Sequence, residues 1–180
     1  MTMKQEVTIS SKKIYDGKII KLRVDTVELA DQKYSKREII EHPGGVGILL
    51  VDQGQILLVQ QYRKAMDQMI LEIPAGKLDF QEESSICAAR ELREETGIIV
   101  ESMTDLGKIY PSVGYTDEKI QLYFADEIQS RGAQDLDEDE CVEVIWMECS
   151  EFESRILRGE LHDAKTICAY FIAKQKGLIK

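Results

Sequence analysis

Three glutamates, Glu91, Glu94 and Glu95, fall within five residues of the stretch "GKLDFQEESSICAARELREETGI", residues 76–98. On a helix turning about 100° per residue, Glu95 lies roughly 40° to one side of Glu91 and Glu94 roughly 60° to the other. One narrow face therefore carries three carboxylates. Like charges at these spacings repel, and anions near a helix C-terminus oppose the macrodipole. Ala88, Ala89 and Leu92 supply an adjoining apolar face, which puts the carboxylates at the edge of the buried surface. A bound divalent cation would offset the repulsion, and an oxygen-only ligand set suits Mg²⁺ or Mn²⁺. The plainer alternative is a solvated acidic face laced by an Arg90–Glu94 pair at i,i+4.

Other chemistries are poorly supplied. The only histidines are His42 and His162, so acid–base work falls to carboxylates. The four cysteines, Cys87, Cys141, Cys149 and Cys168, include no CxxC pair and read as reduced, unpaired thiols. A net charge of −10, from 23 basic and 33 acidic residues, argues against a nucleic-acid binder. No apolar run is long enough for a membrane span, and "MTMKQEVTIS" lacks the apolar region of a signal peptide, so the expected location is cytoplasmic.

The elements that must position the glutamates are legible in outline. Residues 18–42 alternate, with Ile20, Leu22 and Val24 on one side, and read as antiparallel strands about the turn "ADQKYS". "VGILLV" and "QILLVQQYR" flank a hairpin at Gly54 and are apolar enough to be central strands. "EIPAGKLDFQE" reads as a loop, leading into a helix over 84–96 that Gly97 caps. "KIQLYFADEI" and "CVEVIWM" read as strands, and "QSRGAQDLDEDE" as an acidic loop. Ser150 and Glu153 suggest a capping box ahead of a short helix, and "DAKTICAYFIAKQKG" is a closing amphipathic helix. An α+β fold with a mixed sheet packed by helices follows, in one domain (43–180) behind an N-terminal strand segment (1–42).

From Gly76, five residues lead to Glu82, and seven more to Arg90-Glu91-Leu92-Arg93-Glu94-Glu95-Thr96-Gly97-Ile98. All nine specified positions of the Nudix box are matched over these 23 residues. The sequence resembles a Nudix hydrolase, which implies a loop–helix–loop site on an αβα sandwich. By that resemblance Glu91, Glu94 and Glu95 are metal carboxylates, the Ala75 carbonyl is a backbone ligand, and Glu82 and Arg90 lock the loop onto the helix. Gly76 and Gly97 are expected to serve the backbone conformation.

"SKREIIEHPGGVGILLV", "QQYRKAMDQMILEIPAGKLD", "YPSVGYTDE", "LDEDECVEV" and "DAKT" look like the ADP-ribose pyrophosphatase branch. The resemblance implies cleavage of ADP-ribose to AMP and ribose 5-phosphate. It makes Arg63 a phosphate contact and Arg37 a contact near adenine and ribose. Glu72 and Glu118 become polar contacts around the sugar and the metal. In the acidic loop it points to Glu138 as general base and to Glu140 as completing the metal shell, with Glu94 a further catalytic candidate. It also implies a homodimer through an exchanged N-terminal sheet. Two positions depart from the branch: Val113 stands where Ser-Pro-Gly is usual, and Lys18 and Ile19 follow Gly17 where some members carry an aromatic. Another nucleotide sugar or a dinucleotide is the alternative substrate. A non-catalytic ADP-ribose sensor is disfavoured by the intact box.

Overall fold

Alternation in "KLRVDTVE" builds the middle strand of a three-stranded antiparallel sheet. In the computed structural model, which describes residues 5–30, 32–138 and 140–179, this sheet runs β1 (Val7–Asp16), β2 (Lys21–Glu28) and β3 (Tyr34–Glu41) in that order. Lys18 and Ile19 lie in the β1–β2 turn, which the Gly17 N–H closes on the Ile20 carbonyl at 3.0 Å. Residues 110–119 belong to the same unit. The Ile40 N–H donates to the Tyr115 carbonyl at 2.7 Å, and the Asp117 N–H donates to the Ile40 carbonyl at 3.1 Å. β1 falls within the N-terminal strand segment read from the sequence, but its bounds carry no signal. All ten of its residues are exposed, so no core-facing period marks it.

The second unit comprises residues 45–109 and 120–180. Its elements are β4 (Gly45–Asp52), β5 (Gln55–Arg63), β6 (Gln68–Glu72), β7 (Ala75–Lys77), α1 (Ser84–Thr96), β8 (Ile98–Val100), β9 (Thr104–Ile109), β10 (Ile120–Ala125), β11 (Ile128–Arg131), β12 (Glu143–Glu148), α2 (Cys149–Leu157) and α3 (Ala164–Gln175). The main sheet has the order β12-β5-β4-β10-β9, with β6 on β5 and β7 on β4. β4 and β10 are parallel and the other pairs antiparallel, so the sheet is mixed. Gln53 and Gly54 both have positive φ, 50° and 80°, the signature of a two-residue type I′ hairpin between β4 and β5.

Side chains alternate across a strand, and both faces of this sheet are covered. Leu49 of β4 packs with Phe152 of α2 and Tyr170 of α3. Its neighbours Ile48 and Leu50 pack with Cys87, Ala88 and Leu92 of α1. That two-sided burial is why "VGILLV" is continuously apolar, and it gives the helix–sheet–helix sandwich the sequence predicted.

Several local expectations need correction. Part of the "EIPAGKLDFQE" loop is strand: Glu72 ends β6, and Ala75–Lys77 form β7 against β4. The first residues of "QSRGAQDLDEDE" lie in β11, paired to β8. α2 begins at Cys149 with Glu148 as N-cap and no side-chain cap, so the Ser150–Glu153 box does not form. Glu153 instead accepts a hydrogen bond from the Tyr170 hydroxyl at 2.6 Å and pairs with Lys174. Ala89 is exposed, and Cys87 instead lies beside Ala88 and Leu92 among the buried residues of α1. The four cysteines are free thiols.

Candidate active site

β7 brings the start of the box against the middle of α1. Ala75, Gly76 and Lys77 pair with Gly47, Val46 and Gly45 of β4, which fixes the loop to the central sheet. The Ala75 N–H donates to Oε2 of Glu95 at 3.0 Å. A Cβ on Gly76 would fall 1.8 Å from Cδ of Glu91. Gly76 is therefore demanded by space rather than by a left-handed backbone, a correction to the expectation. Gly97 does adopt the left-handed conformation, φ 71°, and caps α1 through its N–H to the Arg93 carbonyl at 2.8 Å.

Arg90 organises the box. Its Nε and Nη2 clasp both oxygens of Glu82 at 3.0 Å, while Nη1 donates to Glu91 Oε1 and to Glu94 Oε2 at 2.9 Å. Glu82 also accepts the Asp79 N–H at 3.0 Å. The Arg90 hydrogen bonds hold the Glu82 carboxyl far down, at about 2. Glu82 and Arg90 thus tie the loop of residues 77–83 to the helix.

Glu95 is only 3% exposed. Burial pushes its carboxyl up to about 8; the Ala75 N–H opposes this, and the charges of Glu91 and Glu140 add to the rise. Glu91 is likewise raised by burial, with Arg90 opposing and Glu94 and Glu140 adding. Among the described residues no three Asp, Glu, His or Cys side chains converge in metal-binding geometry, because Glu91 and Glu94 lean on Arg90 and Glu95 on the Ala75 N–H. In chemistry the set still fits a hard divalent cation: the donors are all oxygen, and two carboxylates are held at a disadvantage that a cation would relieve.

The loop after β11 is sewn to the C-terminal end of α1. The Gly132 N–H donates to the Gly97 carbonyl at 2.7 Å and the Asp135 N–H to the Glu94 carbonyl at 2.9 Å. The Gln134 amide spans the carbonyls of Glu95 and Val142, at 2.6 and 3.1 Å. Glu140 lies within electrostatic reach of both Glu91 and Glu95. Glu138 is exposed in a turn, and Asp139 lies outside the described residues.

Arg63, at the end of β5, forms a two-pronged pair with Glu72 of β6: Nε to Oε1 at 2.6 Å and Nη2 to Oε2 at 2.9 Å. Glu72 is 3% exposed and is also gripped by Lys165. Burial disfavours its charge, but the two cations hold the carboxyl below its ordinary range. Arg63 also feels the charges of Glu95 and Asp163. In the other unit, Arg37 pairs with Glu6 and with the Ser35 hydroxyl at 2.9 Å, and Glu118 lies 3.8 Å from His42. Val113 is exposed in the 110–119 segment.

A Nudix domain model matches residues 41–170, and the model of a nucleoside diphosphate sugar hydrolase N-terminal domain matches residues 6–40. The chain is a Nudix hydrolase. It is 42% identical to the ADP-ribose pyrophosphatase of Bacillus subtilis (strain 168), over 92% of this chain and 90% of that one. It is 41% identical to the methanol dehydrogenase activator of Bacillus methanolicus, with the same coverage. A crystal structure of an ADP compounds hydrolase shares the fold at a TM-score of 0.86 and 17% identity, over 99% of this chain and 98% of that one.

In this Nudix hydrolase the structure brings Ala75, Glu91, Glu94, Glu95, Arg63, Glu72 and Glu140 into one neighbourhood. The sequence singles out Asp163, Lys165 and Thr166 only as part of the "DAKT" motif, without roles, and does not mark Gln134. Asp163 carries an N-cap signal, Asp ahead of an apolar helix, and it does accept the Thr166 N–H at 3.0 Å. Nothing in the sequence marks Lys165 as buried, since lysine is ordinarily a surface residue.

Proposed function

We propose that this Nudix hydrolase cleaves the pyrophosphate bond of ADP-ribose, or of a close nucleoside diphosphate sugar, to give AMP and ribose 5-phosphate with the help of Mg²⁺ or Mn²⁺. The observation that carries this reading is a half-exposed guanidinium, Arg63, clasped by Glu72 three residues before Ala75, whose N–H holds the buried Glu95 of the box. An anionic diester bound to Arg63 would also need a cation between itself and the box glutamates. The name of the Bacillus subtilis relative, matched over 92% of this chain and 90% of that one, supports the substrate class.

Glu91, Glu95 and Glu94, the Ala75 carbonyl and Glu140 would hold the cation, which when bound neutralises phosphate charge and makes a water more acidic. Arg63 orients the phosphates with the part of its fork that Glu72 leaves free. Glu138 takes the proton of the attacking water; its exposed position in a turn suits a group that closes over substrate. The assignment of Arg37 and Glu118 to substrate rests on the sequence motifs alone. The free thiols accord with a cytoplasmic setting. The segment 1–42 is assigned to homodimerisation, supported by β1, where Val7, Ile9, Ile14 and Tyr15 are each half or more exposed.

A substrate panel with Mg²⁺ or Mn²⁺, its products separated by chromatography, tests the reading. ADP-ribose should give the highest kcat/KM and yield AMP. A higher kcat/KM for a nucleoside triphosphate would overturn it. Light scattering that finds a monomer at micromolar concentration would remove the dimer.

A further inference from the structure

The "DAKT" segment, residues 163–166, meets the partner of Arg63, because Lys165 pairs with Glu72. Lys165 is 9% exposed, and its Nζ pairs with Glu72 Oε2 and with Asp163 Oδ1, the latter at 3.1 Å. Asp163 is fixed in turn, because it caps α3 through the Thr166 N–H and accepts the Thr166 hydroxyl. Thr166 Oγ1 accepts the Ile73 N–H at 2.8 Å, which ties the start of α3 to the residue after Glu72.

The four side chains make a chain of alternating charge, Arg63–Glu72–Lys165–Asp163, with two cations and two anions. Glu72 engages Nε and Nη2 of Arg63, and among the described residues Nη1 has no partner. Arg63 keeps 42% of its side chain exposed, whereas Glu72 keeps 3% and Lys165 10%. The arginine is the open end of the chain, and the lysine is its sealed interior.

We propose that Lys165 is a positioning residue for substrate: by neutralising Glu72 and Asp163 together, it leaves Arg63 free to present Nη1 to a substrate phosphate. This rests on the reading of Arg63 as a phosphate contact. Without Lys165 the buried Glu72 and the part-buried Asp163 face one cation. Arg63 is then the sole counter-ion for both and is drawn inward, because an unpaired buried charge is more costly than a lost surface contact. Lys165 never touches the substrate, yet it sets the affinity for it.

The test is a charge-balance cycle read by steady-state kinetics on ADP-ribose and by AMP binding in a calorimeter. Lys165→Gln should raise KM for ADP-ribose and weaken AMP by about tenfold or more, the scale for one hydrogen bond to a charged group, with a smaller effect on kcat. Asp163→Asn keeps a residue able to cap the helix while removing one carboxylate. Combined with Lys165→Gln it returns the cluster to one cation and one anion, and should restore KM and AMP affinity toward wild type. A merely structural lysine predicts the reverse, a double variant as weak as the single one or weaker, and that result would overturn the proposal. Unchanged KM in Lys165→Gln would overturn it as well. If the single variant does not fold, the balanced double variant is measured directly, and wild-type-like KM there supports the proposal while raised KM sinks it. Arg63→Gln separates the two layers: if it leaves KM and AMP affinity intact, the phosphate reading of Arg63 itself has failed.

Discussion

Gly76 and Glu91 occupy adjoining space so tightly that a methyl group on the glycine would overlap the glutamate carboxylate, Cβ to Oε1 being 1.9 Å. The backbone of β7 is held in place, because Ala75, Gly76 and Lys77 are all paired with β4. Gly76→Ala therefore has to displace the Glu91 side chain. A displacement on the order of 1 Å in a catalytic group costs about 10²-fold, so kcat should fall by at least that much while the circular dichroism of the fold persists. Near-normal kcat would show that Glu91 has another productive position.

Glu95 makes the metal-free protein sensitive to pH in an unusual direction. Its folded carboxyl is raised to about 8, chiefly by burial, so the folded state holds this proton more tightly than the unfolded chain does. The associated stability is present below the ordinary glutamate range and is lost as pH rises through about 8, by at most about 1.4 kcal/mol per pH unit. Urea denaturation of chelator-treated protein between these limits should show that decline. Glu95→Gln should flatten it, and added Mg²⁺ should reverse it. A wild-type profile that does not fall with pH would refute the burial argument.

Glu138 and Glu140 should fail in opposite ways. Glu138→Gln should lower kcat by about 10²- to 10⁴-fold, the range for a general base, and excess metal should not help. Glu140→Gln should raise the Mg²⁺ requirement and be partly rescued by more of it, in keeping with the electrostatic reach of Glu140 to Glu91 and Glu95. Exchanged signatures would exchange the roles. Full activity in both would leave the base to be sought at Glu94 or Glu118.

Thr166→Val tests the seam between α3 and β6. Valine matches the shape but cannot accept the Ile73 N–H, which would be left buried and unpaired at a site where Thr166 is 1% exposed. Such a loss costs about 1–3 kcal/mol, measurable as a lower urea midpoint with an unchanged slope. A variant as stable as the wild type would mean that water reaches Ile73.

The sequence carried the box helix and the central strands well, for separable reasons. α1 is marked by carboxylate spacing and a capping glycine, and β4 by an apolar run that two-sided burial requires. Elements whose stability comes only from a neighbour left no such mark. β7 is three residues long and exists because β4 is there to pair with it. β8 and β11 pair with each other and are too short to display a period. Ser150 satisfied a capping rule locally, but the chain entered the helix two residues earlier and Glu153 found Tyr170 and Lys174 instead. Within the site, the glutamates could be read because they share one helix. The pairing of Lys165 with Glu72 could not, because the two are separated by 93 residues.

Residues 72–76 bind structure on every side in succession. Glu72 grips Arg63 and Lys165, the Ile73 N–H meets Thr166, the Pro74 carbonyl accepts the Ile48 N–H, the Ala75 N–H holds Glu95, and Gly76 makes room for Glu91. For descent with modification, this means that five consecutive residues each hold a different contact, so a substitution at any one of them breaks a tie, from the Arg63 partner at Glu72 to the space for Glu91 at Gly76. Lineages that change their substrate should keep these five residues nearly fixed and vary the outer segments, such as the turn at Lys18 and Ile19 or the loop at Val113, whose side chains are exposed.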